Sequence, residues 1–200
     1  MTLVARLDFE EGDLSDWDHV DGAGIVATSL AAYTGNYGCR SVKPITTQYE
    51  MWKNVSLTTE VTSVTYIRYN SLAGAQSDIY EQLRFEGITT KIFIAIRLNN
   101  STGFFRIGYF DGGVGGSTTW EDTTTVFALA TWYKITMILK IGAGDGYCTW
   151  KINDVEIASK TGLDNVNGYY PNQYYVLEQT HASTKDRDNI SIYNTVEYSG

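Results

Sequence analysis

The chain has 200 residues, 43% of them hydrophobic and 19% charged, with a formal net charge of −8. That length suits one domain with a substantial core, and no apolar run approaches the roughly 20 residues of a membrane span. Fifteen lysines and arginines are dispersed among 23 aspartates and glutamates, which excludes the basic stripe that a nucleic-acid backbone requires.

Two-residue alternation recurs along the sequence and helical periodicity is almost absent, so the chain is predicted to be all-β. The opening, Met1-Thr2-Leu3-Val4-Ala5-Arg6, runs straight into a strand pattern without a basic stretch and apolar leader; either a leader has been removed or the protein is made in the cytoplasm, and the initiator-like Met1 favours the second. Early strands are predicted at residues 5–9, 24–29 and 37–43, followed by 63–70 and 79–86. In residues 91–98, Ile92, Ile94, Ile96 and Leu98 face one way while Phe93, Ala95 and Arg97 face the other. The turn-forming residues 99–103 then make a hairpin into a strand at 104–110. The glycine-rich stretch 111–117 is predicted to be a flexible loop. Residues 132–141 alternate again, with Tyr133, Ile135, Met137, Leu139 and Ile141 on the core side. A turn at 142–146 leads to a returning strand at 147–153, and Asn153-Asp154 makes a tight turn into 155–158. Strands at 174–179 and 189–193 complete about a dozen, enough for two packed sheets. No linker or repeat divides the chain, so one domain spanning 1–200 is expected.

Fifteen tyrosines, five tryptophans and 19 glycines with only two prolines fit a β-rich chain with many turns. Cys39 and Cys148 are too few for a disulfide framework, and buried free thiols are preferred to a bridge. His19 and His181 are the only histidines, and His19 lies in an Asp-rich turn that suits a solvated role.

Three stretches carry a resemblance. They are Phe9-Glu10-Glu11-Gly12-Asp13-Leu14 with Trp17, then Gly35-Asn36-Tyr37-Gly38, then Trp132-Tyr133-Lys134-Ile135-Thr136 running on to the hairpin 150–157. Together with the C-terminal strand they resemble the concanavalin A-like, laminin-G-like jelly roll, and are similar to carbohydrate-binding modules. In that hairpin Asp154 stands where the resembled pattern has Gly. The resemblance implies a two-sheet antiparallel jelly-roll sandwich. It also implies a structural Ca²⁺ held by Glu10 and Asp188, with carbonyls between Gly35 and Tyr37, a donor set of the oxygen type that calcium prefers.

Catalysis is not expected. The paired-carboxylate pattern of jelly-roll glucanases is absent, and Glu81 and Glu86 fall on opposite faces of a regular strand. Gln179-Thr180-His181 echoes an alginate-lyase motif without its other two elements. A binding role fits better. Gln82, Arg84, Arg97 and Arg106 project away from Leu83, Ile96 and Ile107 as a polar stripe for sugar hydroxyls. Trp120, Tyr174 and Tyr175 are the candidate stacking residues. The expected function is a non-enzymatic virion surface protein, of bacteriophage decoration or fibre type, with a lectin-like glycan-binding fold. Its expected partners are a capsid or other virion protein, or a cell-surface glycan, and a symmetric homo-oligomer is its expected form. The alternative is an extracellular carbohydrate-binding module of a secreted polysaccharide-degrading enzyme.

Overall fold

A computed structural model describes residues 1–43, 49–55, 60–72, 79–86, 92–99, 102–166, 173–178 and 183–194. In chain order the strands are β1 (Thr2–Leu7), β2 (His19–Asp21), β3 (Ile25–Thr28), β4 (Gly38–Lys43) and β5 (Tyr49–Asn54). Then come β6 (Glu60–Leu72), β7 (Ile79–Glu86), β8 (Ile92–Asn99), β9 (Phe104–Asp111) and β10 (Ser117–Val126). The last five are β11 (Trp132–Lys140), β12 (Ala143–Ile152), β13 (Val155–Asp164), β14 (Gln173–Glu178) and β15 (Ser183–Asn194). They form two antiparallel sheets, as the jelly-roll reading expects. One sheet has the order β13-β12-β11-β6-β15-β4-β3, with β1 also paired to β15, and the other has the order β10-β9-β8-β7-β14-β5-β2.

Alternation explains how the two sheets face each other. Ile94, Ile96 and Leu98 of β8 and Phe105 and Ile107 of β9 point inward and are buried. Opposite them lie Tyr133, Ile135, Met137 and Leu139 of β11, with Cys148, Trp150 and Ile152 of β12. Trp150 joins the layers directly: its Nε1–H donates to the Ala95 carbonyl at 2.8 Å while its ring is fully buried. Truncating such a ring costs about 3–5 kcal/mol, since a cavity is added to the lost transfer energy. Both cysteines are free and buried, and burial pushes the Cys148 thiol far above its ordinary pKa.

The structure corrects several expected boundaries. The first strand ends at Leu7, because Phe9 takes a positive φ of 62° that extended backbone cannot hold. The segment 142–146 is mostly strand, since β12 begins at Ala143 and absorbs irregular register near Gly146. The glycine-rich stretch holds only a short turn at Gly113–Gly115 before β10 starts at Ser117. Strands β2, β5 and β10 were not expected at all. Each sits at or beside the edge of the seven-stranded sheet; β2 is too short to show alternation, and the run of threonines and acids in β10 hides it.

Candidate functional site

The register of the seven-stranded sheet aligns two rows of residues across it. In one row His19 stands opposite Trp52, then Tyr175, Arg84, Ala95, Gly108 and Trp120 follow strand by strand. In the next, Asp21, Glu50, Leu177, Gln82, Arg97, Arg106 and Asp122 are aligned in the same way. Between these rows Met51, Val176, Ile96 and Ile107 are buried in the core, so both rows belong to the outer face. At roughly 4.8 Å per strand, seven strands give a face on the order of 30 Å long.

Each end of this face carries a tryptophan in a stacked contact. At one end the His19 and Trp52 rings lie 3.5 Å apart and nearly parallel. At the other end Gly108 lets the Trp120 indole lie flat on the strand, because a Cβ there would come within 2.7 Å of the ring. The Arg97 guanidinium sits 3.7 Å from the Trp120 ring centroid, a cation–π distance. Arg106 Nε lies 3.4 Å from Asp122 Oδ1, and among the described residues neither Arg106 Nε nor His19 Nε2 has a hydrogen-bond partner. Donor atoms of His19, Asp21 and Glu50 all fall within 4.8 Å of one another, a spacing that one divalent ion can span.

Of the residues expected at the site, Gln82, Arg97 and Arg106 share one row, while Arg84, Tyr175 and Trp120 share the other. The side chains of Gln82, Arg84 and Tyr175 lie outside the described residues. His181 and Gln179 also lie outside them. Tyr174 is a correction. It is fully buried on the inner side of β14, and its hydroxyl is 2.6 Å from Thr65 Oγ1, so it cannot stack on a ligand. Adjacent strand residues face opposite ways, and Tyr175 has the outward position. His19 and Trp52 were missed. The alternation Tyr49-Glu50-Met51-Trp52 was the available signal, with Tyr49 and Met51 buried.

A second cluster lies on the eight-stranded sheet. Glu10 and Asp188 both grip the loop that follows the short helical turn Ser29–Ala31. Glu10 accepts the Asn36 N–H at 2.9 Å through Oε2 and the Tyr37 N–H at 3.4 Å through Oε1. Asp188 Oδ2 accepts from the N–H groups of Tyr33 at 2.8 Å and Thr34 at 3.0 Å, and its Oδ1 accepts from Asn189 N–H at 2.7 Å. Gly35 makes this approach possible, since a Cβ would fall 2.2 Å from Glu10 Oε1. Left-handed backbone at Phe9 and Asn189 flanks the two acids, local strain of the sort held at functional positions.

The electrostatics of the pair are uneven. The Asn36 amide is the main cause that lowers Glu10 below its ordinary pKa, with Tyr37 and Arg6 assisting. Burial pushes Asp188 above its ordinary value, and the Glu10 charge adds to the rise against three amide bonds. Two carboxylates converge on one loop, and Asp188 accepts from the N–H groups of Tyr33, Thr34 and Asn189; a hard cation here would have the two carboxylates as its only charged ligands. The bonds recorded from that loop to the acids are made by N–H groups, where the sequence reading expected carbonyls near Gly35 to Tyr37.

No protein-family model matches the chain, and no curated protein matches it by sequence. Solved structures do match its fold. It is similar to an endo-β-1,4-glucuronan lyase from the fungus Trichoderma reesei, with a TM-score of 0.78 at 14% identity over 97% of this chain and 96% of that one. It is similar to Cip1, a cellulose-induced protein, with a TM-score of 0.68 at 16% identity over 98% and 100% of the two chains. The binding domain of Paraclostridial Mosquitocidal Protein 1 matches with a TM-score of 0.65 at 16% identity over 98% of this chain and 50% of that one. At these identities the likeness is one of fold, the concanavalin-like jelly-roll sandwich.

Proposed function

We propose that the chain is a glycan-recognition domain that lays an oligosaccharide along the outer face of its seven-stranded sheet. The observation that carries this reading is the pair of residue rows crossing every strand, with stacked His19 and Trp52 rings at one end and a Trp120–Arg97 cation–π contact at the other. Flat rings suit the C–H faces of sugars. Arginines at 84, 97 and 106 occupy the middle strands, while Asp21, Glu50 and Asp122 lie toward the edges. A cationic centre with guanidinium forks favours sugars bearing carboxylates, so a uronate-containing glycan is the proposed ligand class. Two of the solved neighbours support the glycan theme by their names, one as a glucuronan lyase and one as a cellulose-induced protein.

A glycan array holding uronate and neutral polysaccharide fragments tests the reading. Binding should concentrate on uronates and fall at least ten-fold in Trp52→Ala and Arg97→Ala. No hit, or hits that both variants leave unchanged, overturns it.

A bound Ca²⁺ on Glu10 and Asp188 belongs to the same proposal. It would supply the charge that Asp188 lacks and tie the start of the chain to its last strand. A second reading, β-elimination from a uronate, is favoured by Tyr175 and Arg84 standing opposite each other in register. There the C5 proton would pass to a base, the C4–O bond would break with its oxygen taking a proton from a general acid, and a C4–C5 double bond would form. Ultraviolet absorbance of unsaturated product decides between this and the non-catalytic reading. Attachment to a virion rests on sequence composition, and light scattering tests it through the symmetric oligomer it requires.

A further inference from the structure

We propose that the outer face of the eight-stranded sheet carries a second sugar-binding pocket, sized for one neutral pyranose ring and separate from the face described above. The pocket is about 220 Å³ and is lined by Tyr33, Tyr66, Trp132, Lys134, Asn153 and Asp154. Three aromatic rings form its wall. Tyr33 stacks on Tyr66 at 4.3 Å and meets Trp132 edge-on at 5.3 Å. The wall is held from two sides. Tyr33 is fixed through its own N–H, which donates to Asp188. The Arg68 guanidinium lies 4.8 Å from the Trp132 ring while bonded to Asp186.

The polar rim suits vicinal hydroxyls. Lys134 Nζ and Asp154 Oδ1 are 2.7 Å apart, placing an ammonium donor beside a carboxylate acceptor. Asn153 Oδ1 accepts the Lys134 backbone N–H at 2.9 Å, which leaves its amide N–H₂ for a ligand. The paired charges cancel, so the rim offers a uronate carboxylate no net charge and suits the hydroxyls of a neutral sugar.

The turn itself gives an independent reason to look here. Asn153 and Asp154 both have positive φ, 51° and 66°, as in a two-residue hairpin turn whose second position favours Gly. Asp occupies it at a conformational cost of about 1 kcal/mol relative to Gly. Its side chain, 71% exposed, stands at the rim of the pocket.

The test reads the tryptophan indole N–H resonances by two-dimensional NMR while methyl hexopyranosides and neutral β-1,4-linked gluco-oligosaccharides are titrated. Trp132 reports on this pocket, and Trp52 and Trp120 report on the other sheet. The expected result is a shift of Trp132 that Trp52→Ala leaves unchanged. Asp154→Gly should weaken it at least ten-fold while the melting temperature holds or rises, and Lys134→Gln should weaken it as well. A Trp132 signal unmoved by every probe overturns the proposal, even if Trp52 and Trp120 respond to uronates. Unchanged affinity in Asp154→Gly overturns it too.

Discussion

Asp186 and Asp188 stand two residues apart on the outer side of β15, both fully buried, yet the chain treats them in opposite ways. Burial alone would push Asp186 up, but bonds from Arg40, Asn70 and Arg68 outweigh it and hold the acid below its ordinary pKa. Arg40 and Arg68 also donate to the Leu30 carbonyl, so this acid is locked into a network with its own counter-charges. Asp188 receives backbone amides and the Asn189 side chain, and a second acid, Glu10, adds to its cost. A buried carboxylate is stable where the chain brings cations to it. Where the chain brings only N–H groups, the carboxylate keeps a charge with no counter-charge beside it, which is the basis of the proposed metal ion.

The strongest way to break that comparison is Asp186→Asn. It would leave two arginines facing a neutral amide, at a cost of about 3 kcal/mol. In a chain of this size that corresponds to a fall of roughly 6–12 °C in melting temperature. A fall of only a degree or two would mean that the network is decorative. Calcium comes next. At about one hundred times its Kd it should contribute about 2.7 kcal/mol, and Glu10→Gln or Asp188→Asn should each remove that gain. Thermal melts in calcium and in chelator read this directly, and coincident melts for the unaltered chain would end the metal assignment. Without calcium, Asp188→Asn should cost about 1 kcal/mol, since it relieves repulsion but spoils an amide bond.

The pH dependence separates the two acids in chelator. Asp188 has its folded-state pKa raised, so its destabilisation is complete above that pKa and is relieved as pH falls toward the ordinary value of 3.8. Asp186 is depressed, so its stabilising contribution is complete above 3.8 and is lost as pH falls through the lower folded value. Denaturant unfolding at stepped pH should therefore give a shallow maximum. Asp188→Asn flattens its upper limb and Asp186→Asn its lower one; a profile identical in both variants contradicts the distinction.

The parts of this account that were legible in the sequence are those governed by alternation and by local turn chemistry. Ile94, Ile96 and Leu98 declare their strand because an apolar face two residues apart can be buried only one way. The two acids could be singled out from short motifs near each end of the chain, but their proximity depends on β15 crossing between β4 and β6. Alternation over 49–52 could have put Trp52 on an outer face, but its stack on His19 was not legible, since the pairing of β2 with β5 is set by register between distant segments. Tyr174 failed because the expected strand had the right place while its facing was one residue out. The inner side of the first half of β15 gives no apolar signal, unlike its second half, where Ile190 and Ile192 enter the core. Lys185 and Arg187 are buried there, with Arg187 Nη1 3.5 Å from Cys39 Sγ, so a run of charges reads as surface while half of it lies inside. The pocket of Tyr33, Tyr66 and Trp132 unites three segments that only the sheet order brings together.

The most direct test of glycan recognition is a crystal structure of the chain with the tightest-binding uronate oligosaccharide from the array. The account predicts sugar rings lying along the outer face of the seven-stranded sheet, between the His19–Trp52 stack and the Trp120–Arg97 stack, with a carboxylate on an arginine of the middle strands. Sugar bound elsewhere, with this face left bare, would contradict it.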